Sequence, residues 1–182
     1  SKSDISVGAR ATPCYADWNG DGVNDIVAGG LDGRIRAYIN DGSPGAHDFR
    51  AAAFVQDGAS DLTVPAGRAS PVVYDLDDDG LVDLICGNTS GQIAWYRNVG
   101  SNTAPAFSSY EYLESLGAPI VLPGMPRSRP DVCDWNGDVF PDLLIGAGDG
   151  KVHLYVGVPE PACMILLLAV AGVRLRMSGV RR

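Results

Sequence analysis

The sequence predicts an all-β fold made of three copies of one four-stranded unit. Three observations carry that expectation. First, the stretch DWNGDGVND at residues 17–25 returns as DLDDDGLVD at 75–83 and as DWNGDVFPD at 134–142, at intervals of 58 and 59 residues. Second, other positions keep step with these loops. Pro13, Pro71 and Pro130 stand four residues before the first aspartate, and Gly29, Gly87 and Gly146 stand twelve after it. Gly33, Gly91 and Gly150 follow, then Ile35, Ile93 and Val152, then Tyr38, Tyr96 and Tyr155, each set in register. So many matches at a fixed period make the chain a repeat array. Third, 23 glycines and 12 prolines divide the 182 residues into short apolar runs with no helical period.

Within each unit the elements follow one order. A short strand runs into the acidic loop (TPCYADW, SPVVYDL, RPDVCDW). A continuous apolar run follows (DIVAGG, DLICGN, DLLIGA), as expected of a strand buried on both faces. A tight turn rich in Asp-Gly and Ser-Gly then leads into an alternating strand (RIRAYIN, QIAWYRN, KVHLYVG), which is a hairpin signal. The fourth strand is expected in DISVGAR at 4–10, DLTVPAG at 61–67 and PIVLPGM at 119–125, on the far side of a longer loop. Four-stranded units at this period suggest β-propeller blades, at about 4–60, 61–118 and 119–157. The repeated tyrosines, isoleucines and glycines are read as packing and turn residues. Three blades are fewer than the usual ring of about four to eight, so this is a partial propeller or one completed by other copies. The chain opens at Ser1 without a methionine, as a processed or truncated product would, and the lack of a leader carries no information.

The acidic loops offer alternate side-chain oxygens. Counting each as positions 1 to 9, the first presents Asp17, Asn19, Asp21 and Asp25 at positions 1, 3, 5 and 9. The second presents Asp75, Asp77, Asp79 and Asp83, and the third Asp134, Asn136, Asp138 and Asp142. The carbonyls of Val23, Leu81 and Phe140 at position 7 would add a backbone ligand. An all-oxygen, multiply anionic set suits a hard cation, and calcium tolerates irregular geometry better than magnesium does. Five carboxylates between Asp75 and Asp83 would repel one another without a cation to share. The loops are not EF-hands, because position 12 holds Ala28, Cys86 and Ile145 in place of a bidentate acid. The competing reading is a set of Asx-turns that only connect two strands. Gly22 and Gly80 permit a sharp turn at position 6, where the third loop has Val139, so that loop fits a metal less well.

These loops resemble the FG-GAP, or VCBS, repeat family, whose blades carry a calcium loop of the form D-x-[DN]-x-[DN]-G-x-x-D. The likeness covers residues 4–157. It implies calcium at the positions named above, in a mainly structural role, on a propeller that serves adhesion or ligand binding. It implies no fixed ligand-recognition residues.

The tail, VPEPACMILLLAVAGVRLRMSGVRR, differs in character. Through Gly157 the chain carries 10 Lys/Arg against 21 Asp/Glu, whereas the last 25 residues carry four arginines against Glu160 alone. The uncharged run from Ala162 to Val173 is expected to form a short hydrophobic helix, shorter than the roughly 20 residues that cross a bilayer. The segment 158–182 resembles a PEP-CTERM sorting signal in its VPEP motif, its apolar stretch and its terminal arginines. That resemblance implies export, transient membrane anchoring, cleavage by an exosortase, and release to the envelope, surface or matrix of a bacterium. An exterior location suits calcium modules with Kd of about 10⁻⁴–10⁻³ M.

The acidic body argues against nucleic acid. Cys14, Cys86, Cys133 and Cys163 form no CxxC pair and no zinc spacing, leaving buried thiols or a disulfide such as Cys14–Cys133. His47 and His153 occupy unrelated places, and no nucleophile elbow or phosphate-cradling loop is present, so no enzyme is expected. The expected function is a non-enzymatic, calcium-stabilised extracellular module that binds polysaccharide or a surface protein, with Trp18, Trp95 and Trp135 either as platforms for sugar or as blade packing. Two alternatives stay open: an accessory domain of a larger secreted hydrolase or lyase, and a structural matrix protein joined through blade edges.

Overall fold

A computed structural model describes residues 5–157, apart from 44, 45, 50, 51 and 125, together with the pair 175–176. The described residues are all-β, with no helix among them. In chain order the strands are β1 (Thr12–Ala16), β2 (Asp25–Gly29), β3 (Ile35–Tyr38), β4 (Ala53–Phe54), β5 (Gln56–Asp57), β6 (Ser60–Asp61), β7 (Ser70–Tyr74) and β8 (Asp83–Gly87). They continue as β9 (Ile93–Tyr96), β10 (Glu111–Tyr112), β11 (Glu114–Ser115), β12 (Ala118–Pro119), β13 (Arg129–Cys133), β14 (Asp142–Gly146), β15 (Val152–Tyr155) and β16 (Leu175–Arg176).

The repeat of the sequence is a repeat of sheets. β1–β2–β3–β4 and β7–β8–β9–β10 are antiparallel four-stranded meanders, and β13–β14–β15 is their three-stranded counterpart. The registers coincide: Tyr15 pairs with Ile26, Val73 with Leu84 and Val132 with Leu143. In each, the acidic loop joins the first strand to the second at the same end of the sheet. β8 is buried along its whole length, as its unbroken apolar sequence requires. β7 packs against β1 and β2, and β13 against β7 and β8, so the sheets follow one another through their first strands.

Two apolar clusters lie between successive sheets. One joins Trp18, Val27 and Ile35 of the first unit to Leu84, Cys86 and Tyr96 of the second. The other joins Ile85, Ile93 and Trp95 of the second to Leu143 and Ile145 of the third. Glycine sets how closely the sheets approach. A Cβ on Gly29 would lie 2.1 Å from the Ala69 carbonyl oxygen, and one on Gly87 would lie 2.2 Å from that of Ser128.

The fourth strand falls elsewhere than expected. It is β4 in the first sheet and β10 in the second, inside segments read as loop, while the third sheet has three strands among the described residues. Residues 61–64 and 119–122 are largely unpaired, and the runs turn at Ala66, Gly67 and Gly124, which take positive φ. Leu62, Val64, Ile120 and Leu122 bury their side chains, and the Val64 and Leu122 N–H groups donate to Gly33 and Gly91 at 2.8 and 3.0 Å. Their alternation is a burial pattern, and Pro65 and Pro123 remove the donors that a continued ladder would need. DISVGAR forms no strand over its described residues. β11, β12 and β16 form a small separate sheet. The expected hydrophobic helix and the sorting segment fall on 158–174 and 177–182, outside the described residues. No helix of the described residues is long and apolar enough to cross a membrane.

Candidate metal centres

Each acidic loop is closed by its own side chains. Asp17 accepts the Asp21 N–H at 3.1 Å and the Gly22 N–H at 2.9 Å, one on each carboxylate oxygen. Asp75 does the same for Asp79 and Gly80, and Asp134 for Asp138 and Val139. The position-5 carboxylates of Asp21, Asp79 and Asp138 accept the N–H of position 7 at 2.8, 2.8 and 3.0 Å. The N–H groups of each loop thus turn inward onto its own carboxylates. Val139 takes φ 69°, beside 83° for Gly22 and 86° for Gly80, so the third loop adopts the same turn despite its side chain.

The position-9 aspartates do something further. Asp25, Asp83 and Asp142 are fully buried. One oxygen of each accepts the N–H of position 2, from Trp18, Leu76 and Trp135. The other accepts an N–H just beyond the third strand, from Asn40, Asn98 and Gly157, at 2.8, 2.8 and 2.7 Å. Asp83 also accepts the Trp95 indole N–H at 2.8 Å. Each of these carboxylates therefore ties the start of its loop to the end of the third strand. Burial pushes the Asp25 and Asp83 carboxyls above the ordinary range, opposed by the N–H donors.

The second loop differs in its middle. In the first and third, the amides of Asn19 and Asn136 donate to Asp21 and Asp138 at 2.9 and 2.8 Å. Asp77 has no N–H to give. Its carboxylate is 5% exposed, with Oδ2 3.2 Å from the Arg97 Nε and Oδ1 buried without a hydrogen-bond partner. Burial raises its pKa, with Arg97 pulling the other way. Asp75, Asp77 and Asp79 place one carboxylate oxygen each within 4.8 Å of one another. The orphaned Oδ1, beside two further carboxylates, is the feature that a hard cation fits, since all the donors are oxygen and their charge exceeds what Arg97 offsets. Asp75, Asp77 and Asp79 would hold such an ion.

Several participants escaped sequence reasoning. Asn40 and Asn98 each stand 23 residues after the first aspartate of their loop, so extending the alignment two positions past the tyrosine would have found them. Asn102 lies on the loop after β9, where its side chain accepts the Val82 N–H and donates to the Gly80 carbonyl, both at 2.8 Å. No repeat signal marks it. Cys14, Cys86 and Cys133 are free thiols, and burial pushes Cys86 well up. Trp18 and Trp95 are buried, Trp18 stacking on Phe107 of the next unit at 5.9 Å, while Trp135 is 63% exposed.

Residues 75–145 match a family model described as FG-GAP-like repeat, a span running from the second acidic loop through the third. Over that span the chain is similar to an FG-GAP-like repeat. It is also 27% identical over 149 residues to integrin alpha-4 of Xenopus laevis, covering 75% of this chain and 14% of that protein. The chain thus spans a small fraction of the relative it matches.

Proposed function

We propose that this chain is a non-enzymatic binding module of propeller type whose acidic loops hold calcium, and that it acts outside the cell. The observation that carries the metal reading is the buried, unpartnered Asp77 oxygen beside Asp75 and Asp79. The first and third loops repeat that scaffold with an asparagine at position 3, so Asp17, Asn19, Asp21 and Asp25 form one further site and Asp134, Asn136, Asp138 and Asp142 another. The position-7 carbonyls of Val23, Leu81 and Phe140 complete the three sets. The FG-GAP-like match and the similarity to an integrin alpha chain support ligand binding at a cell surface. Blade units at 4–60, 61–118 and 119–157, and export through the 158–182 segment with exosortase cleavage, belong to the same proposal. A polysaccharide or another surface protein is the ligand class in view.

Calorimetric titration of the chain with calcium, and with magnesium for comparison, tests the metal assignment. The expected result is calcium-selective binding with Kd of about 10⁻⁴–10⁻³ M, with fewer sites occupied after Asp75→Asn. Equal heats for the variant and the parent chain would remove the second loop as a site.

A further inference from the structure

The repeat carries a second charged position at the opposite ends of β1, β7 and β13 from the acidic loops. Arg10, Arg68 and Arg127 each stand seven residues before the first aspartate of their loop. The fold gathers the three, together with Arg129, around one recess of about 30 Å³. That is room for two or so water molecules, or for the head group of an oxyanion.

The four guanidiniums lack counter-charges. Ion pairs among the described residues use Arg34, Arg36, Arg97 and Lys151, and none of the four recess arginines. Around Arg68, partial loss of water and then the like charges of Arg10, Arg127 and Arg129 pull its pKa down. Four like charges gathered at one recess repel one another, and a bound anion would relieve that repulsion. Two of the hydroxyls lining the recess are already committed. The Thr12 hydroxyl donates to the Ala69 carbonyl at 2.6 Å, and the Ser128 hydroxyl donates to that of Gln92 at 2.6 Å. The arginine forks, with the Ser70 hydroxyl beside them, are therefore the side-chain donors open to a ligand, and the planar geometry of the forks matches the edges of an oxyanion. Backbone conformation points the same way. Arg10 and Arg68 sit at φ 60° and 56°, and Arg127 at 147°, values that side-chain-bearing residues avoid and that concentrate at ligand sites.

We propose that this recess binds a tetrahedral oxyanion, sulfate or phosphate, either free or pendant on an anionic glycan. A five-residue strand rising about 3.3 Å per residue separates it from the acidic loops, so it is a second site and its existence does not depend on metal in the first.

The test uses the whole chain at fixed calcium and fixed ionic strength. Sodium sulfate is titrated against sodium chloride, with calorimetry and the melting temperature as readouts. The expected result is saturable binding with a raised melting temperature, weakened at least tenfold by Arg68→Gln and by Arg129→Gln and unchanged by Arg34→Gln on the outer surface. Arg129→Gln, on an exposed strand position, serves if Arg68→Gln does not fold. Dextran sulfate against uncharged dextran separates the sources. Binding at least tenfold tighter per sulfate than the free ion assigns a pendant group, and equal binding assigns the free ion. No saturable response to sulfate or dextran sulfate, or folded variants that bind like the parent, would overturn the site.

Discussion

Val139 holds a left-handed backbone conformation that its repeat partners Gly22 and Gly80 adopt at no steric cost. Sequence alone shows the conflict between a β-branched side chain and this turn, but it does not show the outcome. Asp134 accepts the Val139 N–H at 3.0 Å, and the side chain is 83% exposed with nothing to clash against, so the turn survives at a cost. Val139→Gly should therefore stabilise the chain by about 1 kcal/mol in urea denaturation. A destabilised variant would mean that the valine supports the loop. Asp77 is the other informative residue. Its lone oxygen and the Arg97 contact come from two departures from the repeat, Asp in place of Asn at position 3 and Arg97 where the other units have Ile39 and Val156. The alternating pattern made the first legible, whereas the near-complete burial of Asp77 was not. In EDTA, Asp77→Asn should gain stability by about 1 kcal/mol, because the new amide can donate to Asp79 as Asn19 does to Asp21. An unchanged or lowered denaturation midpoint would contradict this.

The three core strands of each unit were legible because alternation, unbroken apolar runs and Gly-containing turns each have one structural meaning. The fourth strand was not. β4 and β10 have two residues each, too few for any period to register, and the more regular DLTVPAG and PIVLPGM attracted the assignment through buried side chains that need no ladder. The twelfth-position glycines, recognised as packing residues, acquire a cause. Gly29 and Gly87 lie against the backbone of the following unit, while the nearest atom to a Cβ on Gly146 is 3.9 Å away. Gly29→Ala and Gly87→Ala should each cost about 3 kcal/mol of unfolding free energy. Gly146→Ala should stay within about 0.5 kcal/mol. Equal losses at all three would show that backbone conformation, rather than the approach of the next sheet, selects glycine there.

Across the whole molecule, the faces that are buried between the first and second sheets and between the second and third lie open on the third, as far as the described residues extend. Trp135 and Val152 are 63% and 71% exposed, where their partners Trp18 and Ile35 are 6% and 0% exposed. The sequence could not reveal this, because identical positions carry equivalent residues whatever covers them. Trp18→Ala should cost about 3–5 kcal/mol and Trp135→Ala under about 0.5 kcal/mol, read by denaturation of each variant. A large loss at Trp135 would mean that another part of the chain or a second copy packs over it. The proposed binding module depends on metal in the acidic loops, and the most direct measurement is a thermal melt of the chain in EDTA and in calcium, with magnesium as the control. At ten times Kd each occupied loop should add roughly 1.4 kcal/mol, or about 3–6 °C in Tm, selectively for calcium and less in Asp77→Asn. A Tm that is the same in EDTA and in calcium would contradict metal binding and leave the loops as Asx-turns closed by their own hydrogen bonds.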